Sequence, residues 1–204
     1  MDRKKFLKKA PLLGLGTGLV LTGCSTGTGN DYLGGSDDLS ILIEAAQVEA
    51  QAIQTYTAAA GLLTTESYID IANLYKSHHE DHLSIFNMLI QSLDGIPVNL
   101  SDAGPDARTG NLGDNPTEAD IIHLAMTLEL EAADAYFQQS ITQLQGVNAK
   151  LRMGEIFPVE VVHFVTLKAA LDSALGISTP NLAGASFADI KADFTPFPND
   201  YTNS

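Results

Sequence analysis

Residues 49–56 read EAQAIQTY and residues 129–136 read ELEAADAY, so each segment has a glutamate followed seven residues later by a tyrosine. An α-helix turns about 100° per residue, and seven residues fall only about 20° short of two full turns. Each glutamate therefore shares a helical face with its tyrosine, and the residues around that face are apolar. Burying an acid there costs several kcal/mol unless a partner or a metal ion compensates it. The two segments therefore predict core helices that carry Glu49 and Glu129 into an interior.

Four helical segments account for the middle of the chain. Apolar residues recur at helical spacing, and Gly, Pro, Asn and Thr mark the ends. The predicted helices cover about 37–63, 65–93, 115–144 and 149–175. Pro158 lies inside the fourth segment and should kink that helix or restart it.

The connections between these helices predict their arrangement. The first and second helices are joined by a short link, as are the third and fourth, so each pair forms an antiparallel hairpin. Residues 94–115 are polar and rich in Gly, Pro and Asp. At about 3.3 Å per residue they can reach about 70 Å, which exceeds the ~40 Å length of a 28-residue helix. Two helix hairpins joined by one long crossover resemble the ferritin-like bundle, so we expect an all-α fold of that type.

The fourth helix adds a metal-ligand motif, Glu160-Val161-Val162-His163. Glu and His three residues apart lie side by side on a helix. Dinuclear carboxylate bundles take one Glu from each of two helices and a Glu-x-x-His motif from each of the other two. Together with the two glutamates of the paired segments, Glu160 and His163 fill four of these six places.

The second helix departs from that pattern. Its matching histidine is His82, but His79 stands three residues before it in the place of a glutamate. His79 can still bind metal through nitrogen, which predicts a site of three carboxylates and three imidazoles. Glu80 points about 100° away from His79 on a regular helix. Oxygen and imidazole ligands suit Fe, Mn or Zn, and a single metal ion remains an alternative to a dinuclear site.

The chain resembles the ferritin-like domain family, which includes desiccation-related proteins and many exported bacterial proteins. Leading up to Glu49, DLSIL at residues 38–42 resembles that family's first helix. LELEAADAY at 128–136 resembles the third, and VEVVH at 159–163 resembles the fourth. The resemblance covers about residues 37–176 and implies a four-helix bundle in which metal binding is expected. Tyr56 and Tyr136 share helical faces with Glu49 and Glu129, which makes them candidates for a role near the metal site, although packing with a satisfied hydroxyl is the more common role of such tyrosines.

The N-terminus is typical of an export signal. A basic stretch is followed by an apolar run that is too short to span a bilayer, which needs roughly 20 apolar residues. Residues 21–24, Leu-Thr-Gly-Cys, resemble a bacterial lipobox, which predicts a signal peptide at 1–23 and lipidation of Cys24. RKKFLK at 3–8 resembles a twin-arginine signal with Lys4 in place of the second arginine, so the twin-arginine and general secretory routes both remain open. Residues 24–36 are predicted to form a flexible tether.

Charge and composition exclude several other classes of protein. Without residues 1–23, 6 basic and 24 acidic residues remain, a formal net charge of −18 that disfavours binding to nucleic acid. A single cysteine excludes an iron–sulfur relay, which needs four within the chain. A lipid on every subunit conflicts with a closed storage cage, whereas a homodimer remains open. Residues 177–204 contain three prolines and three phenylalanines and are predicted to form an irregular tail.

These observations lead to two hypotheses about function. The first is a lipid-anchored, metal-binding protein of the bacterial cell envelope, on its periplasmic or outer face, that oxidises Fe(II) or consumes peroxide. The second is a non-catalytic stress or structural protein of the envelope with an incomplete metal site, which the histidine at position 79 favours.

Overall fold

The computed structural model describes residues 35–176, which fold as helices and connecting turns without any strand in that range. The helices are α1 (Ser36–Ala60), α2 (Glu66–Ser92), α3 (Glu118–Gln138) and α4 (Val147–Ala174). The predicted signal peptide, Cys24, nearly all of the predicted tether and the predicted C-terminal tail lie outside the described residues. Among residues 35–176, none of the helices combines the length and the apolar character needed to cross a membrane.

The third and fourth helices differ from their sequence predictions in detail. α3 begins after Thr117, whose side chain forms a reciprocal capping box with Asp120, and it ends at Gln138 rather than near residue 144. Gln139–Gln143 then form a π-helical turn, in which the N–H of Leu144 donates to the carbonyl of Gln139. α4 runs through Pro158 as one helix and does not restart there, because buried residues on both sides of the proline hold it against the bundle.

The helices form two packed pairs, α1 with α2 and α3 with α4. Tyr56 near the end of α1 bonds Glu129 in the middle of α3, while Tyr136 near the end of α3 bonds Glu49 in α1. This reversed order means that α1 and α3 are antiparallel. Because α1 is also antiparallel to α2, α2 and α3 point the same way, and the chain must return along the bundle between them.

Residues 93–117 form this connection along the bundle, and hydrogen bonds hold it in place near both of its ends. Near the end of α2, the side chain of Asn87 accepts from the N–H of Val98 at 2.8 Å and donates to its carbonyl at 3.0 Å. At the opposite end of the bundle, a carboxylate oxygen of Glu118 accepts from the N–H groups of Thr64 and Thr65, both at 2.7 Å. Glu118 therefore caps the start of α2 from the start of α3.

Two apolar clusters fill the bundle, one towards each end. The cluster near the α1–α2 turn includes Leu63, Phe164 and Leu167, and the cluster at the other end includes Leu42, Phe86 and others. The two clusters flank the middle of the four helices and keep water away from the polar groups that lie there.

Candidate metal centre

All six residues that the sequence analysis predicted as metal ligands meet in the middle of the bundle. Each is almost completely removed from solvent, with at most 5% of its surface exposed. They come from all four helices: Glu49 on α1, His79 and His82 on α2, Glu129 on α3, Glu160 and His163 on α4. Six ionisable side chains in a dry interior are unfavourable unless they compensate one another or bind a cation.

The two Glu–Tyr segments interact reciprocally across the bundle. The Tyr56 hydroxyl donates to Oε1 of Glu129, and the Tyr136 hydroxyl donates to Oε1 of Glu49, each at 2.5 Å. Burial, followed by the charge of the neighbouring glutamate, raises the pKa of both tyrosines well above their usual value. Both tyrosines therefore remain protonated and hold the two carboxylates in fixed orientations.

His79 lies between the same two carboxylates. Its Nδ1 is 2.7 Å from Oε2 of Glu49, and its Nε2 is 3.2 Å from Oε1 of Glu129. Burial alone would lower the pKa of His79, but the charges of Glu129 and Glu49 outweigh it and raise that pKa well above the usual value. Without metal, a protonated His79 therefore supplies a positive charge between two acids.

The pKa values of Glu49 and Glu129 shift in the opposite direction to that of His79. Burial would raise the pKa of Glu49, but the charge of His79 and hydrogen bonds from His79 and His82 lower it to about 2. Burial would likewise raise the pKa of Glu129, and His79 and His163 lower it well below its usual value. Both acids are therefore ionised at neutral pH and can act as ligands without losing a proton.

Glu160 is the exception among the three acids. Neither of its carboxylate oxygens has a hydrogen-bond partner within the described part of the chain, although both are buried. Nδ1 of His82 is 2.8 Å from Oε1 of Glu160, but this contact is an ion pair rather than an aligned hydrogen bond. Buried polar groups are nearly always hydrogen-bonded, so two buried carboxylate oxygens that have ion-pair contacts but no aligned donor fit a site that can bind a cation.

Burial, together with the negative charges of Glu129 and Glu49, raises the pKa of Glu160. The pKa values of its neighbours His82 and His163 are also raised. Burial opposes the shift, but contacts with Glu160 and Glu49 raise the pKa of His82 to about 9. Contacts with Glu129 and Glu160 raise that of His163. A cation would favour the ionised form of Glu160 and displace the protons from both imidazoles.

The six residues divide into two overlapping groups whose ligand atoms lie within 4.8 Å of one another. One group consists of Glu49, His79, His82 and Glu160, and the other of His79, Glu129, Glu160 and His163. His79 and Glu160 belong to both groups. Each group offers two carboxylate oxygens and two imidazole nitrogens, a donor set that suits Fe, Mn or Zn.

The site also involves His78, which the sequence analysis did not place there. Nδ1 of His78 is 2.8 Å from Nε2 of His163, although the two residues lie on different helices. The only sequence signal was its position beside His79 in a run of two histidines. Glu80 is exposed and lies outside the site, as its helical position predicts, and Glu44 is exposed as well. Glu131 also lies outside the site; it is half-buried and forms an ion pair of 2.9 Å with Arg108 of the crossover.

Comparison with known proteins adds one finding. A family model described as a ferritin-like domain matches residues 37–173, which include all four helices almost completely. Searches of curated proteins and of solved structures return no match.

Proposed function

Because the chain belongs to the ferritin-like domain family, we propose that it binds two metal ions among its six buried ligands and oxidises Fe(II) or consumes peroxide there. The observation that carries this proposal is the state of Glu160. This acid is fully buried, both of its oxygens lack a hydrogen-bond partner among residues 35–176, and it is the one carboxylate common to the two ligand groups. A buried carboxylate that belongs to both ligand groups and has no aligned hydrogen-bond donor could contribute to the binding of either cation.

The two proposed metal positions are unequal. A neutral imidazole has a single free electron pair, so His79 can bind only one of the two cations. One position therefore keeps four protein ligands, and the other keeps three. Positions with few protein ligands leave room for a small oxidant. We expect one metal ion to bind more tightly than the other.

In this proposal, redox-active metal ions would supply the electrons, and the chain binds these ions and fixes the orientation of their ligands. For peroxide, two Fe(II) ions give two electrons, and H₂O₂ takes these and two protons to form two waters. Glu49 and Glu129 hold the cations, while the hydroxyls of Tyr136 and Tyr56 fix the orientation of the two carboxylates. The apolar clusters on both sides exclude bulk water from the reacting groups.

The test is a metal titration followed by single-turnover kinetics. Purified protein receives Fe(II) without oxygen, and O₂ or H₂O₂ is then added while Fe(III) formation is followed by absorbance. Glu160→Gln should abolish tight binding and reduce the rate to that of free Fe(II). Glu155→Gln is the matched control, because Glu155 is an exposed acid on the same helix. Wild-type protein that binds no metal above background would refute the proposal.

A second candidate, a non-catalytic protein of the envelope, is favoured by the contacts of His79. Protonated His79 forms hydrogen bonds with Glu49 and Glu129, so it supplies part of the positive charge that a metal ion would otherwise supply to these two acids. The same kinetics distinguish the two functions. A triple substitution of Glu49, Glu129 and Glu160 that oxidises Fe(II) as fast as the wild type would favour the non-catalytic role.

We further propose that the protein is exported and anchored to the bacterial envelope by a lipid on Cys24. The basic and apolar stretches before the Leu-Thr-Gly-Cys motif support this proposal. Mass spectrometry of the protein purified from its membrane should detect a diacylated Cys24 as the first residue. Cys24→Ser should release the protein from the membrane fraction, and an unchanged distribution would contradict the anchor.

A further inference from the structure

The proposed metal centre depends on how the ring of His163 is oriented. Nδ1 of His163 is 3.2 Å from Oε2 of Glu129 and 3.4 Å from Oε2 of Glu160, so this nitrogen faces the carboxylates. The other ring nitrogen, Nε2, faces His78 at 2.8 Å. A metal ion shared with the carboxylates would therefore bind Nδ1, which requires the proton to be on Nε2.

One neighbour already restrains the plane of this ring. Tyr75 stacks on His163 with ring centroids 3.9 Å apart and an interplanar angle of 23°. Stacking does not distinguish the two faces of an imidazole. A half-turn of the ring about its Cβ–Cγ bond would preserve the stack but would place carbon atoms where the two nitrogens now lie.

His78 is the residue that distinguishes these two orientations. Its Nδ1 can accept a hydrogen bond from Nε2 of His163 only in the orientation that turns Nδ1 of His163 towards the carboxylates. The planes of the two imidazole rings differ by only 14°. The Nδ1 lone pair of His78 and the Nε2–H bond of His163 can therefore lie in nearly the same plane, as a hydrogen bond between them requires. We infer that His78 is a positioning residue, which fixes the orientation and tautomer of His163 for metal binding through Nδ1.

This role rests on the proposed metal-binding function, but it concerns a residue outside both ligand groups. His78 is half-buried, whereas His163 is fully buried. Removing the outer hydrogen-bond partner of a metal-bound histidine typically weakens metal binding roughly 10- to 100-fold. His78→Leu should therefore weaken zinc binding by that factor while leaving the six ligands in place.

Asn provides the conservative counterpart, because its Oδ1 can accept the hydrogen bond that Nδ1 of His78 accepts. Asn and Leu have similar size and shape, so the two variants differ mainly in that acceptor. His78→Asn should recover most of the affinity that His78→Leu loses. His123→Leu serves as a control, since it removes a histidine from α3 that neither ligand group includes.

The experiment combines competition titration with Zn(II) and nitrogen NMR of protein labelled with ¹⁵N-histidine. Zinc is diamagnetic, and the chain has only five histidines. In the zinc-loaded wild type, His163 should carry metal on Nδ1 and a proton on Nε2. Metal on Nε2 of His163, or on either nitrogen of His78, would overturn the inference.

The titration separates this inference from the proposal on which it rests. Equal zinc affinity of wild type and folded His78→Leu would refute the positioning role and leave the metal centre intact. A wild type that binds no zinc, iron or manganese would refute the metal centre and the positioning role together. If His78→Leu fails to fold by circular dichroism, the wild-type spectrum alone decides which nitrogen of His163 binds metal.

Discussion

His79→Glu is the most informative single change, because it restores the second Glu-x-x-His motif that the dinuclear pattern contains. In the metal-free protein it replaces a cation with a fourth buried carboxylate beside Glu49 and Glu129. His79 lies 2.7 and 3.2 Å from oxygens of these two acids, and both contacts are lost. Removing one partner of a buried ion pair costs about 3–5 kcal/mol. The total stability of a domain is only about 5–15 kcal/mol, so metal-free His79→Glu should lose a large share of its free energy of unfolding.

The assay is thermal and urea unfolding at pH 8, with EDTA and with Mn(II). For a domain of this size, the expected loss corresponds to a melting temperature lower by about 10–20 °C in EDTA. Mn(II) should then stabilise the variant more than the wild type, since a ligand at 100 times its Kd adds about 2.7 kcal/mol and the variant has more carboxylate ligands. Asn73→Glu, which adds an acid at an exposed position of α2, is the matched control. An unchanged melting temperature of His79→Glu in EDTA would refute the assignment of His79 as the internal cation.

Three further predictions follow from other contacts of the bundle. Tyr136→Phe removes a buried hydrogen bond to the ionised Glu49. It should lower the metal-free free energy of unfolding by about 1.5–3 kcal/mol in urea titrations, and a loss near zero would contradict that bond. Metal binding should release protons at pH 7 and become tighter as the pH rises towards about 9, because metal-free His82 has a pKa of about 9 and must lose its proton to bind. Calorimetry in buffers of different ionisation enthalpy measures this proton release. A metal affinity that is independent of pH would contradict the prediction. Asp38→Ala leaves the N–H of Gly146, now bonded at 2.6 Å, without its acceptor at the start of α4. It should destabilise the protein by about 1–3 kcal/mol in the same urea titrations, with no change in metal stoichiometry as the control for site integrity.

Helical periodicity was sufficient to predict which ligand side chains face the interior of the bundle, but not the directions of the helices that carry them. The seven-residue spacing of Glu49 with Tyr56 predicted a shared face, and the structure adds that each tyrosine bonds the glutamate of the other segment rather than its own. That exchange could not be read from either segment, because it depends on α1 and α3 being antiparallel. The order of the helices and the length of the crossover were needed to predict their directions.

The contact between His78 and His163 could not be predicted from the sequence. Periodicity places His78 about 100° from His79 and therefore outside the buried face of α2. Its contact with His163 depends on the rotation and separation of α2 and α4, which packing sets and local sequence does not. The π-helical turn at Gln139–Gln143 was missed for a related reason. Its residues are compatible with an ordinary helix, and the early end of α3 is visible only once buried Leu144 is placed in the core.

The histidine at position 79 links the stability of the site to its metal affinity. A metal ion that binds Glu49 and Glu129 must displace the hydrogen bonds that His79 makes to both acids, so their free energy is subtracted from the free energy of metal binding. The same bonds allow the four helices to pack around three buried acids before any metal arrives. A glutamate at this position would reverse both effects, with tighter metal binding and a weaker metal-free fold. If the protein is exported as proposed, a bundle that folds without metal can be loaded on either side of the membrane, so His79 is compatible with both of the proposed export routes.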